Sequence, residues 1–132
     1  ATDAVYYMHY TTLKGIMEKD NPNIYDYNVP QKLRDLYKNR DFGPYTQDGE
    51  VPVCFIATNH TTGGNSGSPV FNSKGQLIGT AFDRNFEGLT GDIAFRPSSQ
   101  RATCVDIRYT LFIIDKFAGA SHIIDELTIC EQ

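Results

Sequence analysis

The residues best suited to covalent chemistry in this 132-residue chain lie in the run Gly63-Gly64-Asn65-Ser66-Gly67-Ser68-Pro69. Ser66 sits among residues with small side chains or none. A serine hydroxyl is a weak nucleophile until a base takes its proton, and the oxyanion formed on an attacked carbonyl must meet preorganised donors. The backbone N–H groups of Gly64 and Ser66 can converge on one point as such donors, and Gly67 lets a substrate backbone come close. The chemistry in view is acyl transfer through a serine ester. Gly, Ser, Asn and Pro are also the ordinary residues of surface turns, so the surrounding elements must decide between the two.

Val51-Pro-Val-Cys-Phe-Ile-Ala-Thr58 reads as a strand, and Pro69 to Phe82, with its Asn-Ser-Lys-Gly centre, reads as a hairpin. Strand, serine loop, hairpin is the order expected around the nucleophile of a two-barrel, trypsin-like serine protease. Two rival motifs do not fit. The run lacks the Lys-Ser/Thr ending of a phosphate-binding loop, and it has Ser68 where the nucleophile elbow of an α/β-hydrolase has its second glycine. Around this centre, Val5 to about Lys19 and Pro30 to Lys38 have helical character, with Asp20 to Asn23 as a turn and Pro30 suited to a first helical position. Asp41 to Glu50 reads as a loop. Apolar residues at 107, 111, 114 and 118 predict a helix from Asp106 to Ala118 with Gly119 as its C-cap, followed by a short helix from about Ser121 to Leu127.

A complete catalytic triad within this chain would require one of His9, His60 and His122 to reach Ser66. His60 lies six residues before the serine, on the segment that enters the same loop, and reads as packing or solvated; His9 and His122 fall in segments of helical character. No metal is expected, since no His pairs with another at three to five residues and the cysteines are far apart. Cys54, Cys104 and Cys130 allow at most one internal disulfide, and Cys54, in an apolar strand, reads as a buried thiol. The formal net charge is −4, and the lack of a basic cluster interleaved with aromatics argues against a nucleic-acid partner. The longest apolar run is too short and too interrupted by charge to span a membrane. Arg96 and Arg101, flanking a Pro-Ser-Ser loop, read as solvated, and the Asn59-His60-Thr61 sequon as incidental.

Four stretches, Tyr10 to Lys19, Pro52 to Pro69, Gly79-Thr-Ala-Phe-Asp-Arg84 and Val105 to Gly119, resemble in order the C-terminal part of the bacterial dipeptidyl-peptidase 7 and 11 family, serine exopeptidases that remove dipeptides from free N-termini. The resemblance runs from about Tyr10 to Ile129. It implies a mainly β fold with flanking helices, the C-terminal β-barrel portion of a chymotrypsin-like double barrel: a helical lead-in over about 1–50, nucleophile-bearing strands over about 51–103 and C-terminal helices over about 104–128. It also implies that the triad histidine and aspartate come from an N-terminal part of the same polypeptide, so that this chain alone is nearly inert.

The resemblance further assigns Ser66 as nucleophile, with Gly64 supplying an oxyanion amide. Arg84, eighteen positions after Ser66, falls where this family lines its specificity pocket. A guanidinium there can fork onto a side-chain carboxylate, which resembles the dipeptidyl-peptidase 11 branch that prefers Asp or Glu as the second substrate residue. Asp83 then holds the substrate's α-amine, and because adjacent residues in an extended segment point to opposite sides, Asp83 and Arg84 need not cancel as an ion pair. The implied partners are a peptide with a free N-terminus and, for the full-length enzyme, a second copy in a homodimer; no cofactor is implied. The implied location is the periplasm or cell surface of a Gram-negative bacterium. Two other readings stay open: a Glu-specific trypsin-like endopeptidase, and a non-catalytic barrel module.

Overall fold

The computed structural model describes residues 8–130, and within them 8–11 with 54–107 form one unit and 12–53 with 108–130 another. Five strands make one open sheet: β1 (Tyr10–Thr12), β2 (Pro52–Ala57), β3 (Pro69–Phe71), β4 (Leu77–Arg84) and β5 (Ala102–Asp106), in the order β1-β2-β5-β4-β3. β2 runs antiparallel to β5, β5 to β4 and β4 to β3. The expected strand and hairpin are therefore present. Asn72 makes the hairpin turn, its side-chain oxygen accepting from the amides of Lys74 and Gln76 at 2.9 and 3.0 Å.

The helix expected over Val5 to Lys19 is shorter than predicted. Residues 1–7 lie outside the described residues, Tyr10–Thr12 is strand β1, and only α1 (Leu13–Glu18) is helical. Aromatic and β-branched side chains suit an edge strand, and β2 supplies the partners: Ile56 N–H donates to the His9 carbonyl at 2.9 Å and Cys54 N–H to Thr11 Oγ1 at 3.2 Å. His9 is thus not in a helix. On one face of the sheet Ala81, Ala102 and Cys104 form a small core, with Phe55 and Val70 packed against it. Cys104 is the fully buried thiol; Cys54 is only half-buried, and burial pushes both thiols up.

The second unit contains α1, a 3-10 turn (Tyr25–Tyr27), α2 (Gln31–Lys38), α3 (Ile107–Phe112) and α4 (Ser121–Asp125). Pro30 stands one position ahead of α2, where its carbonyl accepts from the amides of Leu33 and Arg34. The loop expected over Asp41 to Glu50 is present, with one isolated bridge between Gln47 and Glu50. The predicted helix from Asp106 is regular only to Phe112 and then widens into π turns over Ile113–Phe117. That widening turns the later side chains off the 3.6-residue stripe, so Leu111 and Phe112 are buried while Ala118 is exposed. Gly119 does cap the element at φ +70°, with Ala120 N–H reaching back to the Ile114 carbonyl.

Leu13, Val29, Leu33, Phe42, Tyr45, Val51, Leu111 and Phe112 form the core of this unit. Within it Tyr45 Oη donates to Asp115 Oδ2 at 3.1 Å, and burial, reinforced by that carboxylate, pushes the phenol up to about 12 from its ordinary 10.0. Between those values the unfolded chain loses a proton that the folded chain keeps, so stability falls as pH rises from about 10 to about 12. Tyr45→Phe should cost about 1 kcal/mol at pH 8 through the lost hydrogen bond. That deficit should shrink or reverse by pH 12, as read by paired urea unfolding of the two proteins; a deficit constant with pH would remove the phenol as its source.

Candidate active site

The serine loop is built by its own side chains and then pinned to β4. Asn65 Oδ1 accepts from the Thr62 amide at 2.7 Å, Asn65 N–H donates to the Thr62 carbonyl at 3.2 Å, and Ser68 N–H donates to the Asn65 carbonyl at 3.0 Å. Gly67 N–H donates to the Ala81 carbonyl at 2.7 Å, and Ala81 N–H returns a bond to the Ser68 carbonyl at 2.9 Å. Gly64 and Gly67 hold φ of +96° and +90°, and a Cβ at either would meet nothing within 4 Å. Glycine is required there by backbone conformation, not by space. The amides of Asn65, Gly67 and Ser68 are spent on these bonds, whereas those of Gly64 and Ser66, the expected oxyanion pair, take no part in them.

Ser66 is exposed and its Oγ donates to the Phe82 carbonyl at 3.2 Å. No histidine accepts from it among the described residues. His60, an exposed residue, instead meets the Gly91 carbonyl through Nε2 at 3.0 Å, and its ring lies 4.7 Å from that of Phe95. His122 lies exposed on α4. All three cysteines are free, and among the described residues no group of three His, Cys, Asp or Glu could hold a metal. No described helix is long and apolar enough to cross a membrane.

β4 carries the opposite wall. A bulge at Phe82 leaves Ala81 facing Cys104 and shifts Asp83 to Thr103 and Arg84 to Ala102. Directly opposed residues share a face, so the extra residue places Arg84, rather than Asp83, on the face of Ala81, Ala102 and Cys104. Asp83 stays exposed, and its carboxylate accepts from the Arg84 amide at 2.8 Å, not from the guanidinium. The two side chains do not form an ion pair with each other. Thr61, Thr62, Ser66, Phe82, Asp83 and Arg84 are among the residues that line an open depression of about 160 Å³, so Ser66, Asp83 and Arg84 border one space, while Gly64 is not among its lining residues.

Arg84 is nonetheless occupied. Its Nη1 donates to Asp92 Oδ1 at 2.7 Å and to the Thr61 carbonyl at 3.1 Å, and its Nη2 donates to Asp92 Oδ2 at 2.9 Å. The guanidinium holds the Asp92 carboxyl below its ordinary range, and Asp92 in turn raises Arg84. Asp92 ends the 3-10 segment Phe86–Asp92 and carries no sequence signal of its own, because an irregular segment has no periodicity from which to read what it faces. A fork of opposite charge eight residues after the arginine is the one hint available in the sequence.

Ser66 on its glycine turn and Arg84 on β4 thus border one depression. The Peptidase S46 family profile matches residues 1–129, and the chain belongs to that family. It is 57% identical over 130 residues to Dipeptidyl-peptidase 7 of Phocaeicola vulgatus, covering 98% of this chain and 18% of that protein. It is 55% identical to the Asp/Glu-specific dipeptidyl-peptidase of Flavobacterium psychrophilum, covering 96% of this chain and again 18% of the relative. The crystal structure of Porphyromonas endodontalis DPP11 superimposes with a TM-score of 0.90 at 55% identity over 94% of this chain and 18% of that one. The same protein has been crystallised with the dipeptides Arg-Glu and Arg-Asp. The chain thus spans about a fifth of the length of these relatives, which include both a dipeptidyl-peptidase 7 and an Asp/Glu-specific dipeptidyl-peptidase.

Proposed function

We propose that this chain is the nucleophile-bearing, C-terminal portion of a serine dipeptidyl peptidase that releases N-terminal dipeptides with Asp or Glu as second residue. The observation that carries the reading is that Ser66 and Arg84 line the same depression. Ser66 attacks the scissile carbonyl, the amides of Gly64 and Ser66 receive the oxyanion, and Arg84 reads the acidic side chain. Asp83, exposed at the rim, takes the substrate's α-amine. The identities to the two kinds of relative are nearly equal, so the overall likeness does not choose between them, and it is Arg84 in the depression that supports the acidic reading. A small residue at this position could offer an acidic side chain no paired, charge-assisted donors.

In this reading the open sheet is one part of a chymotrypsin-like barrel, and the base comes from elsewhere in a longer polypeptide that works as a homodimer in the periplasm or at the cell surface of a Gram-negative bacterium. The test is cleavage of a peptide with Asp in second position, offered to the intact polypeptide with its N-terminus free or acetylated. Only the free peptide should lose its first two residues, because acetylation removes the ammonium that Asp83 would hold. Cleavage after an internal Glu in the acetylated peptide would establish an endopeptidase instead.

A further inference from the structure

A guanidinium carries five N–H donors, two on each Nη and one on Nε. In Arg84 both Nη1 donors are used, by Asp92 and the Thr61 carbonyl, and one Nη2 donor is used by Asp92. The two that remain, on Nε and Nη2, lie along a second edge of the same plane, and that edge has the spacing to fork onto another carboxylate. An internal carboxylate and a substrate carboxylate can therefore occupy one arginine together, each on its own edge.

The support behind Asp92 is firm. A Cβ on the buried Gly88 would lie 3.2 Å from both Cβ and Cδ of Arg84, so the backbone of Phe86–Asp92 lies against the arginine's aliphatic stem. Asn85 anchors the start of that segment, donating from Nδ2 to Glu87 Oε2 and to the Ser99 carbonyl at 2.8 Å each, while its Oδ1 accepts from the Arg101 amide at 2.8 Å. The Arg84 side chain is only 19% exposed and Asp92 is 50% exposed. Stem and head of the arginine are thus both held by one seven-residue segment.

We propose that Asp92 is a positioning residue for specificity: with the Thr61 carbonyl it clamps the Nη1 end of Arg84, so that the Nε–Nη2 edge is the one offered to an acidic substrate side chain. The proposal rests on the reading of Arg84 given above. Two effects of Asp92 oppose each other. Its negative charge repels an acidic substrate, but a half-exposed charge is screened by solvent, whereas its two hydrogen bonds fix the plane that a bidentate contact requires. Orientation outweighs repulsion, and loss of Asp92 weakens acid recognition.

The experiment uses the intact enzyme and two dipeptidyl reporter amides, one with Asp and one with Leu in second position. Asp92→Ala should lower kcat/KM for the Asp reporter at least tenfold, through KM with little change in kcat, and leave the Leu reporter unchanged. Asp92→Asn, which keeps one acceptor oxygen, should fall between, and it carries the test if the alanine variant does not accumulate. In an Arg84→Gly background Asp92→Ala should have no further effect on the Asp reporter. Asp-reporter efficiency that is unchanged or raised in Asp92→Ala overturns the proposal, and so does a parallel loss on both reporters. If Arg84→Gly alone leaves the preference for Asp intact, it is the reading of Arg84 that fails, whatever Asp92 does.

Discussion

Replacing Ser66 with Ala is expected to lower kcat of the intact enzyme on a dipeptidyl reporter amide by about 10⁶-fold, the scale seen when a hydrolase triad loses its nucleophile. The loss should be chemical, not structural. The loop around Ser66 is held by the backbones of Asn65, Gly67 and Ser68, and the serine hydroxyl contributes only its bond to the Phe82 carbonyl. Such a bond is worth about 1 kcal/mol, so thermal unfolding should shift by a few degrees at most. Substrate binding should survive, because the pocket wall on β4 is untouched. A fluorophosphonate should label the unmodified enzyme at Ser66 and leave the variant unlabelled. Retention of more than a hundredth of the activity would place the nucleophile elsewhere.

The second large effect concerns selectivity. Arg84→Gly in the intact enzyme should reduce kcat/KM for the reporter with Asp in second position at least tenfold, since each charged hydrogen bond it removes is worth about 1.5–3 kcal/mol, while the Leu reporter is cleaved as well as before or better. The substitution strands Asp92, but that carboxylate is half-exposed and regains water, so the fold should tolerate it. A spectroscopic check accompanies the kinetics: with the guanidinium gone, the Asp92 carboxyl should titrate closer to its ordinary 3.8. Better cleavage of the Leu reporter by the unmodified enzyme would remove Arg84 from substrate recognition and leave the assignment of Ser66 standing.

What the sequence disclosed depended on whether local signals and tertiary partners agreed. The β3–β4 hairpin was legible because Asn72 and Gly75 mark its turn between two apolar runs, and Gly119 because a left-handed cap closes its element. Tyr10–Thr12 was misread as helix, since its conformation is decided by β2, forty residues away, and not by its own neighbours. The helix after β5 kept its cap but lost its predicted stripe where π turns intervene. At the site, glycines and a serine announced themselves by type. The bulge at Phe82 and the fork between Arg84 and Asp92 could not, because each exists only once β4 has paired with β5 and the 3-10 segment has folded back.

That bulge makes the charge lining the depression a matter of counting as well as of chemistry. Side chains along a strand alternate like the terms of a parity code, and one inserted residue inverts every term beyond it. In β4 the inversion falls between Ala81 and Asp83, so the side of the sheet that Ala81 occupies receives a cation two steps on from the bulge instead of an anion one step on. The same residues paired without the bulge would set Phe82 against Thr103 and Asp83 against Ala102, presenting a carboxylate in the arginine's place. The charge on this face of the sheet is therefore written in the register of a strand as much as in the identity of a residue.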